Sequence, residues 1–187
     1  MIYKIRISNR DYTDWGVIEQ QSTKEIEVDG IEPIKNKLFN QDVFTMEDNR
    51  MKLLHSTARS MKCIPGVLSL KDNKTYGKKG KKYYYKCIPD DKRLPIFLIA
   101  HKNIVLFNKV KKNKYITFKF LKWDSKFPIG MIQHVIGEVD NLNNFYEYQL
   151  YCKSLYASIQ EFTKKTMKVL RQRSEEEFVD IINKKFT

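Results

Sequence analysis

The sequence predicts a mainly β fold followed by a C-terminal α segment, and two observations carry that prediction. Over the first two thirds of the 187 residues, apolar and polar side chains alternate with a period of two, as in half-buried β-strands. From Asn144 onward the apolar period changes to 3.6, which is typical of an amphipathic helix. With 42% hydrophobic and 30% charged residues, the composition is globular, and 7 glycines and 5 prolines leave no long flexible linker.

The N-terminal strands predict a first small barrel over residues 1–59. In the clearest of them, residues 3, 5 and 7 are apolar and share one face, while Lys4 and Arg6 share the other. A short helix over Pro33–Phe39 is predicted between strands three and four. Short strands with one short helix in that place are typical of the five-stranded OB fold. The strands are Tyr3–Ile7, Trp15–Glu19, Lys24–Val28, Val43–Met46 and Met51–Ser56.

The same pattern restarts near Pro65 and predicts a second OB-type barrel over residues 60–143. Its clearest strand is Tyr115–Leu121, in which Ile116, Phe118 and Phe120 point one way. The segment Lys71–Lys82 carries two glycines and six lysines, and we expect it to form a long basic hairpin tip. The other strands are predicted at Val67–Leu70, Tyr83–Ile88, Ile96–Ile99, Ile104–Phe107 and Met131–Val139.

Residues 144–187 predict two helices. Asn144 with Glu147 forms a capping-box pattern at the first start, and Ser174 before three glutamates marks the second. The first helix is expected to pack on the second barrel through Phe145, Tyr148, Cys152 and Leu155. The later apolar side chains could pair as a helical hairpin, but we expect them to meet a separate domain or partner; they are Phe162, Leu170, Phe178, Ile182 and Phe186.

The net charge of +13 is concentrated in the middle of the chain. Residues 1–48 have a balance of −4, whereas residues 49–123 hold 20 basic and 3 acidic groups, a balance of +17. Residues 124–187 hold 9 of each sign. So one-sided a charge predicts a polyanionic partner. The alternative is a merely solvated lysine-rich face due to codon bias, but such a bias would enrich lysine along the whole chain.

Basic residues interleaved with aromatic ones predict where single-stranded RNA binds, since bases stack on aromatic rings while cations follow the phosphates. Tyrosines in this pattern can also be core residues, and Trp15 can pack rather than stack. We expect the main site at Lys78, Lys79, Lys81, Lys82, Tyr83 and Tyr85, a second cluster at Lys109, Lys111, Lys112 and Lys114, and a contribution from Tyr12 and Trp15 beside Arg10.

The sequence offers no pattern for catalysis, metal binding or membrane insertion. The histidines at 55, 101 and 134 have no carboxylate or cysteine at ligand spacing, so we expect no metal and no cofactor. Three isolated cysteines form no disulfide framework, which favours a reducing, cytoplasmic setting. No apolar run reaches the ~20 residues that a membrane span needs, so no membrane partner is expected.

Several motifs, in order, resemble those of the ribonuclease II/ribonuclease R family, which includes the catalytic nuclease of the eukaryotic exosome. Asn40-Gln41-Asp42-Val43 is similar to a strand entry of that family, with Gln41 in place of the usual glycine. The run from Ile88 to Ile96 resembles the family's Pro-x-Asp-x-Arg-x-Pro-x-Ile segment. Further matches lie at Gly66-Val67-Leu68, Tyr115–Trp123, Pro128-x-Gly130 and Ile136-Gly137-Glu138-Val139-Asp140.

The resemblance covers roughly residues 1–142, which correspond to the tandem N-terminal cold-shock domains. It implies a single-stranded RNA-binding module that feeds a 3′–5′ exoribonuclease. The family's magnesium-binding aspartate cluster has no counterpart here, since Asp90-Asp91 is the only adjacent aspartate pair. We therefore expect no catalysis by this chain alone. Two alternatives stay open: the front piece of a split or truncated exoribonuclease, and a basic nucleic-acid packaging protein.

Overall fold

The computed structural model describes residues 1–22, 24–47, 50–102, 111–155, 158–172 and 174–186. Within these ranges the chain forms two β-sheets and several helices, as the alternation and the later 3.6 period predict. The strands are β1 Ile2–Ile7, β2 Trp15–Glu19, β3 Glu25–Ile26, β4 Val43–Glu47, β5 Arg50–His55, β6 Ile64–Leu68, β7 Lys78–Lys79, β8 Lys82–Pro89, β9 Phe97–Lys102, β10 Lys114–Lys122 and β11 Ile129–Glu138. The helices are α1 Thr57–Ser60, α2 Leu142–Cys152, α3 Ile159–Gln172 and α4 Glu175–Phe186.

The first sheet is antiparallel, with the strand order β3-β2-β1-β4-β5. Its inner face carries the side chains that the alternation predicts, because Ile5 and Ile7 of β1 are fully buried. The expected closure into a barrel is not present among the described residues, where no ladder joins β3 to β5. A two-residue β3 offers too few backbone groups to bridge the sheet edges.

The second sheet closes into an OB-like barrel. β6 pairs with both β8 and β10, β8 pairs with β9, and β10 pairs with β11. A parallel ladder between β9 and β11 completes the ring. Gly130 is required at this ladder, because a Cβ atom there would lie 2.6 Å from both Ile99 Cδ1 and Phe118 Cδ2.

An aromatic cluster joins the interiors of the two sheets. The Phe39 ring, which follows β3, stacks on Phe97 of β9 at a centroid distance of 5.9 Å and lies 4.7 Å from Trp123. Tyr12 meets Trp123 edge-on at 6.4 Å. Trp123 is a core residue, since it is 7% exposed. Both sheets therefore share one continuous hydrophobic core.

The predicted helix over Pro33–Phe39 is wrong. The segment is a series of turns, in which the Leu38 amide donates to the Pro33 carbonyl oxygen and Lys37 adopts a positive φ of 59°. That left-handed residue interrupts any helical ladder. A single helical turn, α1, instead follows β5, with the Ser56 side chain accepting a bond from the Arg59 amide. The predicted strand Ile104–Phe107 lies outside the described residues.

The prediction of two C-terminal helices is wrong, because the described residues form three, α2, α3 and α4, and the first ends at Cys152. This first helix is capped by Asn141 rather than Asn144, because the Asn141 side chain accepts bonds from the amides of residues 143 and 144. Tyr148 packs as predicted, stacked on Tyr115 at 4.3 Å. Leu155 does not: α2 ends at Cys152, so Leu155 lies beyond the helix and is 60% exposed.

The last two helices expose apolar side chains. Ser174 caps α4 as predicted, since its Oγ accepts a bond from the Glu177 amide at 3.3 Å. Phe162 is 70% exposed, Leu170 54% and Ile182 55%. None of the helices in the described ranges is both long and apolar enough to span a membrane.

Candidate nucleic-acid interface

Two aromatic residues that the sequence predicts as RNA contacts belong to the core instead. Tyr85 is 1% exposed, because its side chain points into the barrel opposite Ile99 of β9. Tyr12 is 5% exposed and packs on Trp123. Neither ring can stack on a base while the core is closed, so both predictions are wrong.

Tyr83 and Trp15 are partly accessible and lie on different sheets, and only Tyr83 is beside the basic hairpin. Tyr83 lies on the inner side of β8, half-buried against the core, with Lys78 Nζ 5.7 Å from its ring centre. Trp15 is 36% exposed on β2 of the first sheet.

Tyr84 is the aromatic residue of β8 that points to the outer surface of the barrel, where it is half-buried. Across the ladder it pairs with Ala100 of β9, and Met131 of β11 is 44% exposed nearby in the same groove. The groove has a volume of about 600 Å³. Its apolar floor also includes Leu121, Ile129 and Val135.

Cations from the predicted basic hairpin surround this floor. Lys79, Lys81 and Lys82 line the groove, and Lys102 of β9 stands directly opposite Lys82. The hairpin is tight, since Lys79 pairs with Lys82 and Gly80 takes a positive φ of 57° that favours glycine. The structure therefore brings together three of the four predicted hairpin lysines, with Lys78 beside them over Tyr83.

The second predicted lysine cluster is less free to bind a polyanion. Lys112 Nζ lies 3.2 Å from a carboxylate oxygen of Glu138 and 3.6 Å from one of Asp140. Lys111 Nζ lies 5.8 Å from the centre of the buried Tyr85 ring, and Lys114 is half-buried. Lys109 lies outside the described residues.

One titratable group in the groove has a shifted pKa. His101 of β9 is half-buried between lysines, and burial, followed by the charges of Lys114 and Lys82, holds its pKa below the ordinary value. The imidazole is therefore neutral near pH 7, so the lysines alone supply the positive charge of the groove.

Sequence reasoning missed Tyr84, Lys102 and Met131. A signal for Tyr84 existed: it is in phase with Lys82 and Lys86, whereas Tyr83 and Tyr85 are in phase with Cys87, a residue type that is usually buried. Lys102 and Met131 carried no such signal, because their place in the groove depends on the pairing of β9 with β8 and β11.

Metal-ligating side chains do not cluster in the described part of the chain. Among those residues no three His, Cys, Asp or Glu side chains approach closely enough to hold a metal ion. Cys63, Cys87 and Cys152 are free thiols.

Comparison with known proteins finds one matching family model and several similar solved structures, which include two of Mycoplasma genitalium RNase R. Residues 84–148 match the model of the Dis3-like cold-shock domain 2 (CSD2). The apo form of Mycoplasma genitalium RNase R is similar at 11% identity and a TM-score of 0.49, covering 91% of this chain. Mycoplasma genitalium RNase R in complex with ribose methylated single-stranded RNA is similar at 12% identity and a TM-score of 0.49, covering 95% of this chain. Among curated proteins nothing matches.

The chain covers only 27% and 28% of the length of those two nuclease chains. The family match begins on β8, extends through the closing strands of the barrel and ends in α2, so that it includes Tyr84, Lys102 and Met131. Residues 84–148, about a third of the chain, are therefore similar to the second cold-shock domain of Dis3-like proteins.

Proposed function

We propose that the chain binds single-stranded RNA in the groove on the outer face of β8, β9 and β11. The observation that carries the proposal is the half-buried Tyr84 ring on an apolar floor flanked by Lys79, Lys81, Lys82 and Lys102. This is the face that OB folds use for oligonucleotides, between the loop joining their first two strands and the loop joining their last two. Those loops are residues 69–81 and 123–128.

The chemistry of the groove suits unpaired bases. An exposed aromatic face accepts any base by stacking, and each such contact is worth ~1–3 kcal/mol. Ala100 is small enough to leave space above the floor beside Tyr84. The lysines at the rim bind the phosphates, and the balance of +17 over residues 49–123 attracts the RNA from a distance. Paired bases within a duplex cannot reach Tyr84.

We propose that the chain is organised as 1–59, 60–143 and 144–187, in which the first sheet is an opened OB barrel. Its strand order is that of the OB fold without the closing ladder. The aromatic cluster around Phe39 and Trp123 crosses the first boundary, so these are structural units that fold together.

A second candidate function is protein binding by α3 and α4, whose partner would be a separate nuclease domain or another protein. The observation that favours it is the exposed apolar side chains of Phe162, Leu170 and Ile182. Hydrogen exchange tests it: weak protection over residues 160–186 in a monomer is expected. Strong protection in a monodisperse monomer would show that the two helices are self-contained.

Fluorescence anisotropy with labelled RNA tests the main proposal. We expect a single-stranded decanucleotide to bind more tightly than a duplex of the same sequence, with affinity that falls steeply as salt increases. Equal affinity for the two would overturn the groove and favour a packaging protein that binds through charge alone. Degradation of the RNA in magnesium would instead indicate that the chain has catalytic activity of its own.

A further inference from the structure

A pair of aromatic rings lies further along the outer face of β8, beyond the single ring of Tyr84. The rings of Tyr76 and Phe127 meet edge-on with a centroid distance of 6.4 Å. Tyr76 belongs to the loop between β6 and β8, whereas Phe127 belongs to the loop between β10 and β11. The pair therefore bridges the two loops that bound the proposed RNA groove.

The backbone places Tyr76 on this face. Its amide donates to the Tyr84 carbonyl oxygen at 2.9 Å, and the Tyr84 amide donates to the Gly77 carbonyl oxygen at 3.0 Å. Two consecutive loop residues therefore bond one strand residue, as in a β-bulge, and Gly77 adopts a positive φ of 111° that favours glycine. Because of this bulge, the Tyr76 ring lies on the side of the sheet that carries Lys86.

A cation sits between the two rings. Lys86 Nζ lies 5.0 Å from the Tyr76 ring centre and 5.6 Å from that of Phe127. Within the described residues no carboxylate forms an ion pair with Lys86, so its charge is available to a phosphate. Lys126 Nζ adds a second cation, 5.6 Å from the Phe127 ring.

The spacing relative to Tyr84 determines what can bind. Tyr84 and Lys86 are two residues apart on one strand, which separates them by ~6.6 Å on the same face. That distance is about twice the ~3.4 Å rise between stacked bases of a duplex strand. Neighbouring nucleotides of one strand can therefore use both places only when the strand is extended and their bases are unstacked.

We propose that Tyr76 and Phe127, with Lys86 and Lys126, form a second base-stacking subsite that continues the groove of Tyr84. This inference rests on the proposed RNA binding and deepens it. One nucleotide stacks on Tyr84, and a later nucleotide of the same extended strand stacks on the Tyr76–Phe127 pair. Lys86 then binds the phosphate between them.

The length dependence of RNA binding tests the subsite in the full chain. We would measure affinity for oligouridylates of two to ten nucleotides with the wild type, Tyr76→Ala, Phe127→Ala and Tyr84→Ala. Wild-type affinity should increase stepwise once the oligonucleotide spans both places. Tyr76→Ala and Phe127→Ala should each remove that step, a loss of about 5- to 150-fold for long oligonucleotides only, as expected for one stacked base. Tyr84→Ala should weaken binding at every length.

Ring-preserving and charge variants serve as controls. Tyr76→Phe and Phe127→Tyr should keep the step, and Lys86→Gln should reduce the salt dependence by about one released counterion. These side chains are only half-buried, so thermal unfolding should change little. Wild-type affinities for Tyr76→Ala and Phe127→Ala, with Tyr84→Ala still weakened, would overturn the second subsite alone. Absence of RNA binding by the wild type would overturn the proposed function itself.

Discussion

Replacing Tyr84 by alanine removes an aromatic ring from the floor of the proposed groove. The ring is half-buried on the outer side of β8, so its loss opens no cavity in the core. If one base stacks on it, single-stranded binding should weaken by ~1–3 kcal/mol, or about 5- to 150-fold in Kd. Tyr84→Phe should bind like the wild type, because stacking uses the ring and not the hydroxyl group.

Fluorescence anisotropy with a labelled decauridylate at a fixed salt concentration provides the measurement, because affinities at different salt are not comparable. Lys52→Ala is a suitable control, since it removes one cation on β5 of the first sheet, outside the groove. It should change the affinity far less than Tyr84→Ala. Wild-type affinity for Tyr84→Ala, in a protein with unchanged thermal stability, would refute the stacking argument.

Three further predictions concern the core and the turn before β4. Tyr85→Ala should lower the free energy of unfolding in denaturant titrations by about 3–5 kcal/mol, because it empties a fully packed site; an unchanged stability with weakened RNA binding would contradict the burial of this ring. Burial raises the pKa of Asp42 above its ordinary 3.8 despite the bond that the Phe39 amide donates to its carboxylate, so the folded state binds the proton more tightly than the unfolded state. The stability of the wild type relative to Asp42→Asn should therefore rise as pH falls from 7 toward 4, and a pH-independent difference would exclude the shift. Gln41 has a φ of 68°, and a non-glycine residue in this conformation costs ~1–2 kcal/mol. Gln41→Gly should therefore raise the melting temperature. A lower melting temperature would show that the Gln41 side chain stabilises the fold.

The strands and most of the barrel interior were predictable from local alternation. Ile116 and Phe118 of β10 are fully buried, as their period-two spacing requires. Alternation defines two faces but does not say which of them is inside. For that reason the prediction that Tyr85 rather than Tyr84 lies on the outer surface was wrong. The cysteine in phase with Tyr85 and the lysines in phase with Tyr84 indicated the correct face.

Features that depend on long-range pairing could not be predicted. The Phe39 ring reaches Phe97 only because both sheets share a core, and residues 58 positions apart carry no periodic signal of that contact. The groove has the same origin, since it requires β9 to lie between β8 and β11. The predicted N-cap of α2 was wrong for a local reason, because several asparagines lie close together in the sequence. Asn141 caps the helix because it follows the turn that ends β11.

Nuclear magnetic resonance can show whether RNA binds on the outer face of β8, β9 and β11. A titration of the labelled 22.4 kDa chain with a single-stranded decauridylate would follow the methyl groups of Ala100, Ile129 and Met131. Large, saturable shifts of these three methyl groups, with little change at Val17 and Leu38 in the core of the first sheet, are predicted. Saturable binding that leaves all three unshifted, or that shifts only the first sheet or α3 and α4, would contradict the account.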